Sequence, residues 1–218
     1  MNQIQKHTVT LKRWLFLAVG LAIMSLGVAL SIRANLGTSP ISSVPYVCSL
    51  FSPLSVGSAT IVMHCLMILA QILLLRRRYD PVQLLQLPVA LAFGWLTDAA
   101  MWATGAVQCG AYWQQWLVCL SGVALVAVGV SFEVTAGVAP LAGEGTVLAL
   151  CQVLPVKFGT MKVTFDVCLV LTACLLSLIF LGQLQGVREG TVAAALCVGT
   201  IARQLNKPLG RLGKTLFA

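Results

Sequence analysis

Charged residues are scarce in this chain. Aspartate, glutamate, lysine and arginine make up 9% of its 218 residues, whereas apolar residues make up 59%. A soluble domain has about 25% charged residues, so this chain could not cover a surface that faces water. The mean hydropathy of +0.94 agrees with lipid as the main solvent. The composition therefore excludes an ordinary soluble protein and predicts an all-α, polytopic membrane protein whose first partner is the lipid bilayer.

Residues for catalysis or metal binding are also few. The chain has two histidines, one of them in the N-terminal tail, and its eight cysteines form no CxxC pair and no Cys/His spacing typical of a metal site. Most of the cysteines lie in apolar stretches, where they act as small filler residues. No ATP-binding loop is present. We expect no enzyme activity, no cofactor and no metal.

Six segments are apolar enough to cross a bilayer, and the sixth is the shortest: Trp14–Ile32, Val56–Leu75, Leu84–Ala103, Trp113–Phe132, Val163–Leu181 and Thr191–Gln204. The first resembles a signal peptide, but its length favours a retained helix. Two further apolar pieces, Pro40–Phe51 and Thr146–Leu154, are too short, because twelve helical residues reach about 18 Å of a core about 30 Å thick. Their proline, glycine and serine residues are typical of broken or re-entrant helices.

The positions of the basic residues, which give the chain a net charge of +8, predict the orientation. The basic residues lie between apolar runs rather than on one face, so we read them as topology determinants and expect no nucleic acid partner. With both termini in the cytoplasm and neither short piece crossing, 12 of the 14 basic residues lie inside. Only Arg33 and Arg188 lie outside. If Pro40–Phe51 crossed instead, the Arg76–Arg78 cluster would move outside.

The two halves of the chain align at an offset of 102 residues. Twelve of the 62 positions from Trp14 to Leu75 are then identical, against about five expected by chance, and they include tryptophan, proline and glycine pairs. The chain is then a single membrane domain, 1–218, that consists of two halves, 12–105 and 106–207, and a basic cytoplasmic tail, 208–218. Each half contains three crossings and one broken helix. An odd number of crossings requires the second half to be inverted. Such inverted repeats are typical of secondary transporters, although an old duplication kept for packing would give the same pattern.

Several motifs resemble the YczE/YitT group of bacterial integral membrane proteins. The most specific is Asn35-Leu36-Gly37-Thr38-Ser39-Pro40; the others are Gly57, Gly94…Asp98, Gly143-Glu144-Gly145, Lys162…Asp166 and Arg188-Glu189-Gly190-Thr191. A Gly-Pro-Arg-Asp run common in YczE-like members is replaced here by Ala139-Pro140-Leu141-Ala142. The resemblance implies residence in the bacterial inner membrane and a transport role, and it supplies no substrate.

Candidate substrate-binding residues surround the starts of the two short helices. Thr38 or Ser39 is a good N-cap before Pro40, and Asn35 and Gly37 would let the backbone turn closely around a ligand. A helix N-terminus at mid-membrane would favour an anion; alternatively, the helix enters from the surface with Arg33 at the headgroups.

Two charged residues extend this set. Glu144 could bind a cation or proton, or could cap its own helix. Arg188 could attract an anionic solute or pair with Glu189.

Ionisable residues within spans are the candidates for ion or proton coupling: His64, Asp98, Glu144 and Asp166. His64 and Asp166 lie at equivalent positions of the two halves. Lys162, four residues before Asp166, could simply be its ion-pair partner. Arg33 and Arg188 are candidate partners for Asp98, and His64 could be a packing residue.

We expect a secondary transporter of a small polar or anionic solute. A passive channel would share the architecture. A structural or regulatory membrane protein, including a homodimer that packs through small residues, is a further alternative.

The predicted topology can be tested by cysteine labelling. Arg77→Cys and Lys207→Cys, each in a background that keeps only Cys109 of the native cysteines, should react with an impermeant thiol reagent from the same side. Cys109, in the outer connection, is the internal control and should react from the other side. Labelling of the two introduced cysteines from opposite sides would refute the inverted halves.

Overall fold

A computed structural model describes the backbone of residues 3–217 and the side chains of residues 11–213 and 215. The regular elements of this part of the chain are all helical. They are α1 (Gln3–Arg33), α2 (Pro40–Phe51), α3 (Val56–Leu75), α4 (Gln86–Ala103), α5 (Tyr112–Ala136), α6 (Ala142–Val153), α7 (Phe158–Leu181) and α8 (Glu189–Phe217), with two short 3-10 turns, Arg76–Arg78 and Pro81–Leu85, between α3 and α4.

Five of the described helices (α1, α3, α4, α5 and α7) are long and apolar enough to cross a bilayer. They contain four of the first five predicted spans and all but the first two residues of the third, Leu84–Ala103, which lie in the preceding 3-10 turn. They indicate a membrane protein. The sixth predicted span, Thr191–Gln204, lies within α8. Its apolar stretch is bounded by Glu189 and Arg203, so α8 does not reach the apolar length of the other five and its crossing stays a prediction. The helix also continues past residue 207, where the sequence predicted a basic tail.

The two short helices are α2 and α6, each 12 residues long. The bounds predicted for α2 are confirmed: Ser39 is the N-cap, Pro40 follows it, and the helix ends before Ser52. The prediction that the second short helix begins at Thr146 is wrong, because α6 begins at Ala142. A side chain from α5 accepts the N–H of its N-cap residue, as described below.

The helices form a row and a ring. In the row, α4 packs on α1, α1 on α5, and α5 on α8. In the ring, α2 packs on α3 and α7, and α6 packs on the same two helices. Each short helix is therefore enclosed by one long helix from each half of the chain.

Glycines bring α1 and α5 together in the middle of the row. A Cβ on Gly27 would lie 2.6 Å from the carbonyl oxygen of Gly122, and one on Gly129 would lie 2.7 Å from the carbonyl oxygen of Gly20. Gly20 therefore faces Gly129 while Gly27 faces Gly122, so the two helices run antiparallel. Without side chains at these positions the backbones touch, which is how helices associate in lipid, where apolar burial alone gives little drive.

Gly27→Ala should destabilise this crossing by about 1–3 kcal/mol, because the added methyl group meets backbone that cannot rotate away. The free energy of unfolding in mixed detergent micelles measures the effect. Gly199→Ala is the matched control: no described atom lies within 4 Å of its Cβ position, so it should be neutral or slightly stabilising. Equal stability of Gly27→Ala and wild type would contradict the close crossing.

Candidate functional site

The loop between α1 and α2 makes the turn that its sequence predicts. Asn35 and Gly37 have φ of 56° and 92°, a left-handed conformation that glycine adopts freely and asparagine tolerates. Ser39 is the N-cap of α2, as expected, but its hydroxyl donates to the Ser42 hydroxyl (3.1 Å) and does not cap a backbone N–H.

The start of α8 closes over this loop. The Arg188 guanidinium donates to the carbonyl oxygen of Asn35 (2.9 Å), and the Gly190 N–H donates to that of Leu36 (2.8 Å). A Cβ on Gly37 would overlap Thr191, so the glycine permits close approach of α8. Arg188 also pairs with Glu189 at 3.3 Å. The structure therefore brings Asn35, Gly37 and Arg188 together, and Arg188 makes both of these protein contacts.

Thr38 differs from its neighbours. Its side chain is 1% exposed, and its hydroxyl has no hydrogen-bond partner among the described residues. A buried hydroxyl without a partner is costly, which marks this position as one where a polar ligand atom could bind.

The first turns of α2 and α6 meet inside the ring. A Cβ on Gly143 would overlap the side chain of Ile41, and these are the second residues of the two helices. The positive ends of two helix dipoles thus lie close together, a few residues from Thr38.

Glu133 holds the start of α6. It lies in the last turn of α5, is 3% exposed, and its Oε1 accepts the Leu141 N–H at 2.6 Å. Leu141 is the N-cap of α6. Oε2 is buried and has no hydrogen-bond partner among the described residues. A carboxylate in this state is expensive, so Glu133 is a strong candidate for function.

Glu144 lies in the first turn of α6, three residues after the N-cap. A glutamate there often binds the N-cap N–H, but Glu133 already takes that donor. Glu144 interacts electrostatically with Glu133, Lys162 and Asp166.

Lys162 and Asp166 form an ion pair of 2.6 Å on one face of α7. The alternative that Lys162 is the ion-pair partner of Asp166 is therefore confirmed. Its closeness to Glu144 nevertheless joins two of the predicted coupling residues in one cluster of three carboxylates and one ammonium.

Asp98 binds the start of α3. Its two carboxylate oxygens accept the Ser55 hydroxyl (2.6 Å) and the Gly57 N–H (2.7 Å). The helices approach closely here because a Cβ on Gly57 would overlap the Gly94 carbonyl oxygen. The predicted arginine partners of Asp98 are wrong, since Arg188 binds the α1–α2 loop and Arg33 donates to the Met101 carbonyl oxygen (2.8 Å) in the last turn of α4. Asp98 is thus held as a helix cap.

The contacts of His64 are those of a packing residue. It is 1% exposed and stacks on Phe93 with ring centroids 5.9 Å apart. Its Nδ1 has no hydrogen-bond partner among the described residues. His64 belongs neither to the carboxylate cluster nor to the α8 contact as the structure describes them.

Two buried amides complete the surroundings of α6. The Gln71 amide nitrogen donates to Gln86 (3.1 Å), to the Ala142 carbonyl oxygen (3.1 Å) and to Thr146 (3.2 Å). Gln86 returns a hydrogen bond to Gln71 at 3.2 Å. Both side chains are at most 1% exposed. They fix the first turn of α6 to α3 and α4.

Glu133, Gln71 and Gln86 were not predicted from the sequence. Glu133 lies one residue past the predicted span Trp113–Phe132. Only six acidic residues occur in the chain, which makes each of them notable. Burial of Glu133, however, depends on the path of the loop after α5. The two glutamines lie near the ends of apolar segments, where an amide at the headgroups is unremarkable.

Comparisons with known proteins give a family but no function. No curated protein and no solved structure matches the chain, and within the described residues no group of three His, Cys, Asp or Glu side chains could hold a metal ion. The relation to the YczE/YitT group stays a prediction. Residues 11–207 match the model of a family of unknown function, DUF6198, and because this match covers most of the sequence the chain belongs to that family.

Proposed function

We propose that this protein is a secondary transporter that moves a small anionic solute by alternating access between two inverted halves. The observation that carries the proposal is an asymmetry between two equivalent helix pairs, α3–α4 and α7–α8. The solute would bind inside the ring, where the first turns of α2 and α6 meet beside Thr38.

The helix boundaries support the inverted repeat. Moving by 102 residues takes α2 onto α6 with both ends in register, and takes the start of α3 onto the start of α7. Asn35 and Gly137, both with positive φ, are equivalent by the same offset.

The contacts between helices agree with this relation. At the α1–α5 crossing, Gly20 meets the equivalent of Gly27, and Gly27 meets the equivalent of Gly20. This exchange is what a two-fold axis across two antiparallel helices produces. The ring contacts and the α4–α1 and α5–α8 contacts of the row also map onto one another when the halves are exchanged.

One contact breaks the symmetry. The helices α3 and α4 pack tightly at Gly57 and Gly94. Their counterparts α7 and α8 carry glycines at the corresponding positions, Gly159 by the offset of 102 and Gly199 after a further shift of three residues, yet no described neighbouring atom lies within 4 Å of a Cβ at either one. A pair that is closed in one half and open in the other is the arrangement expected of one state of an alternating-access transporter. In the predicted topology, the open pair faces the cytoplasm.

The charges at the open pair favour an anion. Ser55 and Asp98 form a hydrogen bond at the α3–α4 contact. By the same two offsets, the corresponding residues are Lys157, which is the N-cap of α7, and Arg203 in α8. Closing α8 onto α7 would bring Arg203 toward Lys157 and the positive end of α7, which is unfavourable unless an anion lies between them. An anionic solute would therefore promote closure on this side.

Gly159→Ala tests the closure. Its surroundings are open in the described state, so stability in detergent should match wild type. In the closed state the methyl group would meet α8 backbone, as it would at Gly57, at a cost of about 1–3 kcal/mol; solute flux in proteoliposomes should fall by about 5- to 150-fold. Gly210→Ala is the control, since Gly210 also has open surroundings and no counterpart in a helix contact. Wild-type flux in Gly159→Ala would contradict closure of α7 on α8 and would favour a passive channel.

A screen of small inorganic and carboxylate anions against the purified protein should identify the solute class. A binder at one hundred times its dissociation constant should stabilise the protein by about 2.7 kcal/mol, measured by thermal unfolding. Arg203→Gln should weaken this stabilisation, whereas Arg211→Gln, at an exposed position further along α8, should retain it. Stabilisation that is the same in both variants would contradict the role of Arg203, and absence of any stabilising anion would favour a structural or regulatory role.

A bacterial inner-membrane location with cytoplasmic termini, and a homodimer, are compatible with this proposal. Exposed apolar side chains cover much of α7, and lipid is sufficient to cover them.

A further inference from the structure

We propose that Glu133 and Glu144 together hold one proton, and that this proton is the coupling ion of the transport cycle. Only the coupling role of the proton rests on the proposed function, because a proton site can exist without transport. Glu133 is the new element: the sequence pattern did not single it out.

The first argument is the state of the Glu133 carboxyl group. It lies 3% exposed, with one oxygen on the Leu141 N–H and the other buried without a hydrogen-bond partner among the described residues. A carboxylate can be kept ionised in such a place by several donors, but here one N–H and the end of a 12-residue helix are what the described residues provide. A protonated Oε2 would have far less need of a partner than an ionised one.

The second argument is the position of Glu144. The hydrogen bond from Leu141 ties Glu133 to the N-cap of α6, and Glu144 lies in the first turn of that helix. Two carboxylates at one helix start in a desolvated site repel each other, so ionising both at once is costly, and a single proton held by the pair relieves the repulsion.

The third argument is the charge count. Around α6 the charged groups are Glu133 from α5, Glu144, and the Lys162–Asp166 pair from α7. The ammonium offsets one carboxylate, and two negative charges remain. The described side that α3 and α4 present to α6 is uncharged, and its polar groups at the first turn are the amides of Gln71 and Gln86.

The described contacts that α1 and α8 make beside Glu133 are uncharged. The α1 segment beside Glu133 contributes Gly20, and the α8 segment contributes Ala202, whose carbonyl oxygen accepts from Ser131. Arg203 follows Ala202 but is exposed. One proton is thus the simplest way to leave a single negative charge, which the α6 dipole stabilises.

The proton connects chemistry to movement. While it is bound, Glu133 holds the N-cap of α6 and the first turns of α2 and α6 stay together. When it leaves toward the open side, the two carboxylates repel and α6 is pushed away from α5. The solute site formed by those first turns changes shape at the same moment, which links proton release to solute release.

Infrared spectroscopy of the purified protein tests the proton site directly. Wild type should show the carbonyl stretch of a protonated carboxylic acid at neutral pH, where exposed carboxylates are ionised. The band should be lost in Glu133→Gln, because this change removes the buried carboxyl group. Glu133→Gln should still fold, since its amide oxygen can accept the Leu141 N–H.

Asp80→Asn is the matched control. Asp80 also accepts a backbone N–H with its side chain, that of Val82 at 3.0 Å, but it is exposed. The band should persist in this variant. A wild-type spectrum without the band, or a band unchanged in Glu133→Gln, would overturn the proposal.

Proteoliposomes with an internal pH dye test the coupling. Wild type should move protons together with the solute, whereas Glu133→Gln should lose proton movement. Proton movement at the wild-type level in Glu133→Gln would refute the coupling role. If wild type carried no solute at all, the proposed function would fail, and the infrared result would still decide the proton site.

Discussion

The contact of bare backbone between α1 and α5 holds the two halves of this protein together. Apolar side chains are solvated equally well by lipid and by a neighbouring helix, so burying them gives little drive for association. The long helices therefore associate here through close van der Waals contact. The four glycines at positions 20, 27, 122 and 129 give that contact. Placed on either side of this crossing, α4 and α8 extend the row, and the ring of α2, α3, α6 and α7 lies against it. The proposed rocking of the two halves would take place about this crossing.

Helices that begin inside such a protein need partners for their first backbone N–H groups, because lipid offers none. At α3, Asp98 supplies them from α4, and at α6, Glu133 supplies them from α5. Both are carboxylates at helix starts, yet their surroundings differ. Asp98 makes hydrogen bonds with both oxygens, whereas Glu133 leaves one oxygen without a partner. The first arrangement is typical of a structural cap, and the second is typical of a group that also binds something else.

Local signals predicted most of the fold. Ser39-Pro40 and Ser52-Pro53 bracket α2, and the apolar runs located five long helices, because these features depend on neighbouring residues alone. The prediction was less successful where distant residues decide the outcome. The start of α6 was placed four residues late because Glu133, eight residues before Leu141, stabilises a glycine-rich first turn. Distant residues also decide the contacts of the site. Asn35 and Arg188, which are in contact, are 153 residues apart in the sequence. Asp98 binds Ser55 rather than the arginine that was predicted.

The hydrogen bonds of Gln71 and Gln86 have a consequence for biogenesis. When the first half of the chain has entered the membrane, these two amides can bind only each other or water. Their remaining partners, the Ala142 carbonyl oxygen and Thr146, arrive with α6 after another complete long helix has been made. The first half by itself would therefore expose an unsatisfied polar pair to lipid. The first half is therefore not a self-sufficient membrane domain, and the ring can form completely only after translation has passed α6.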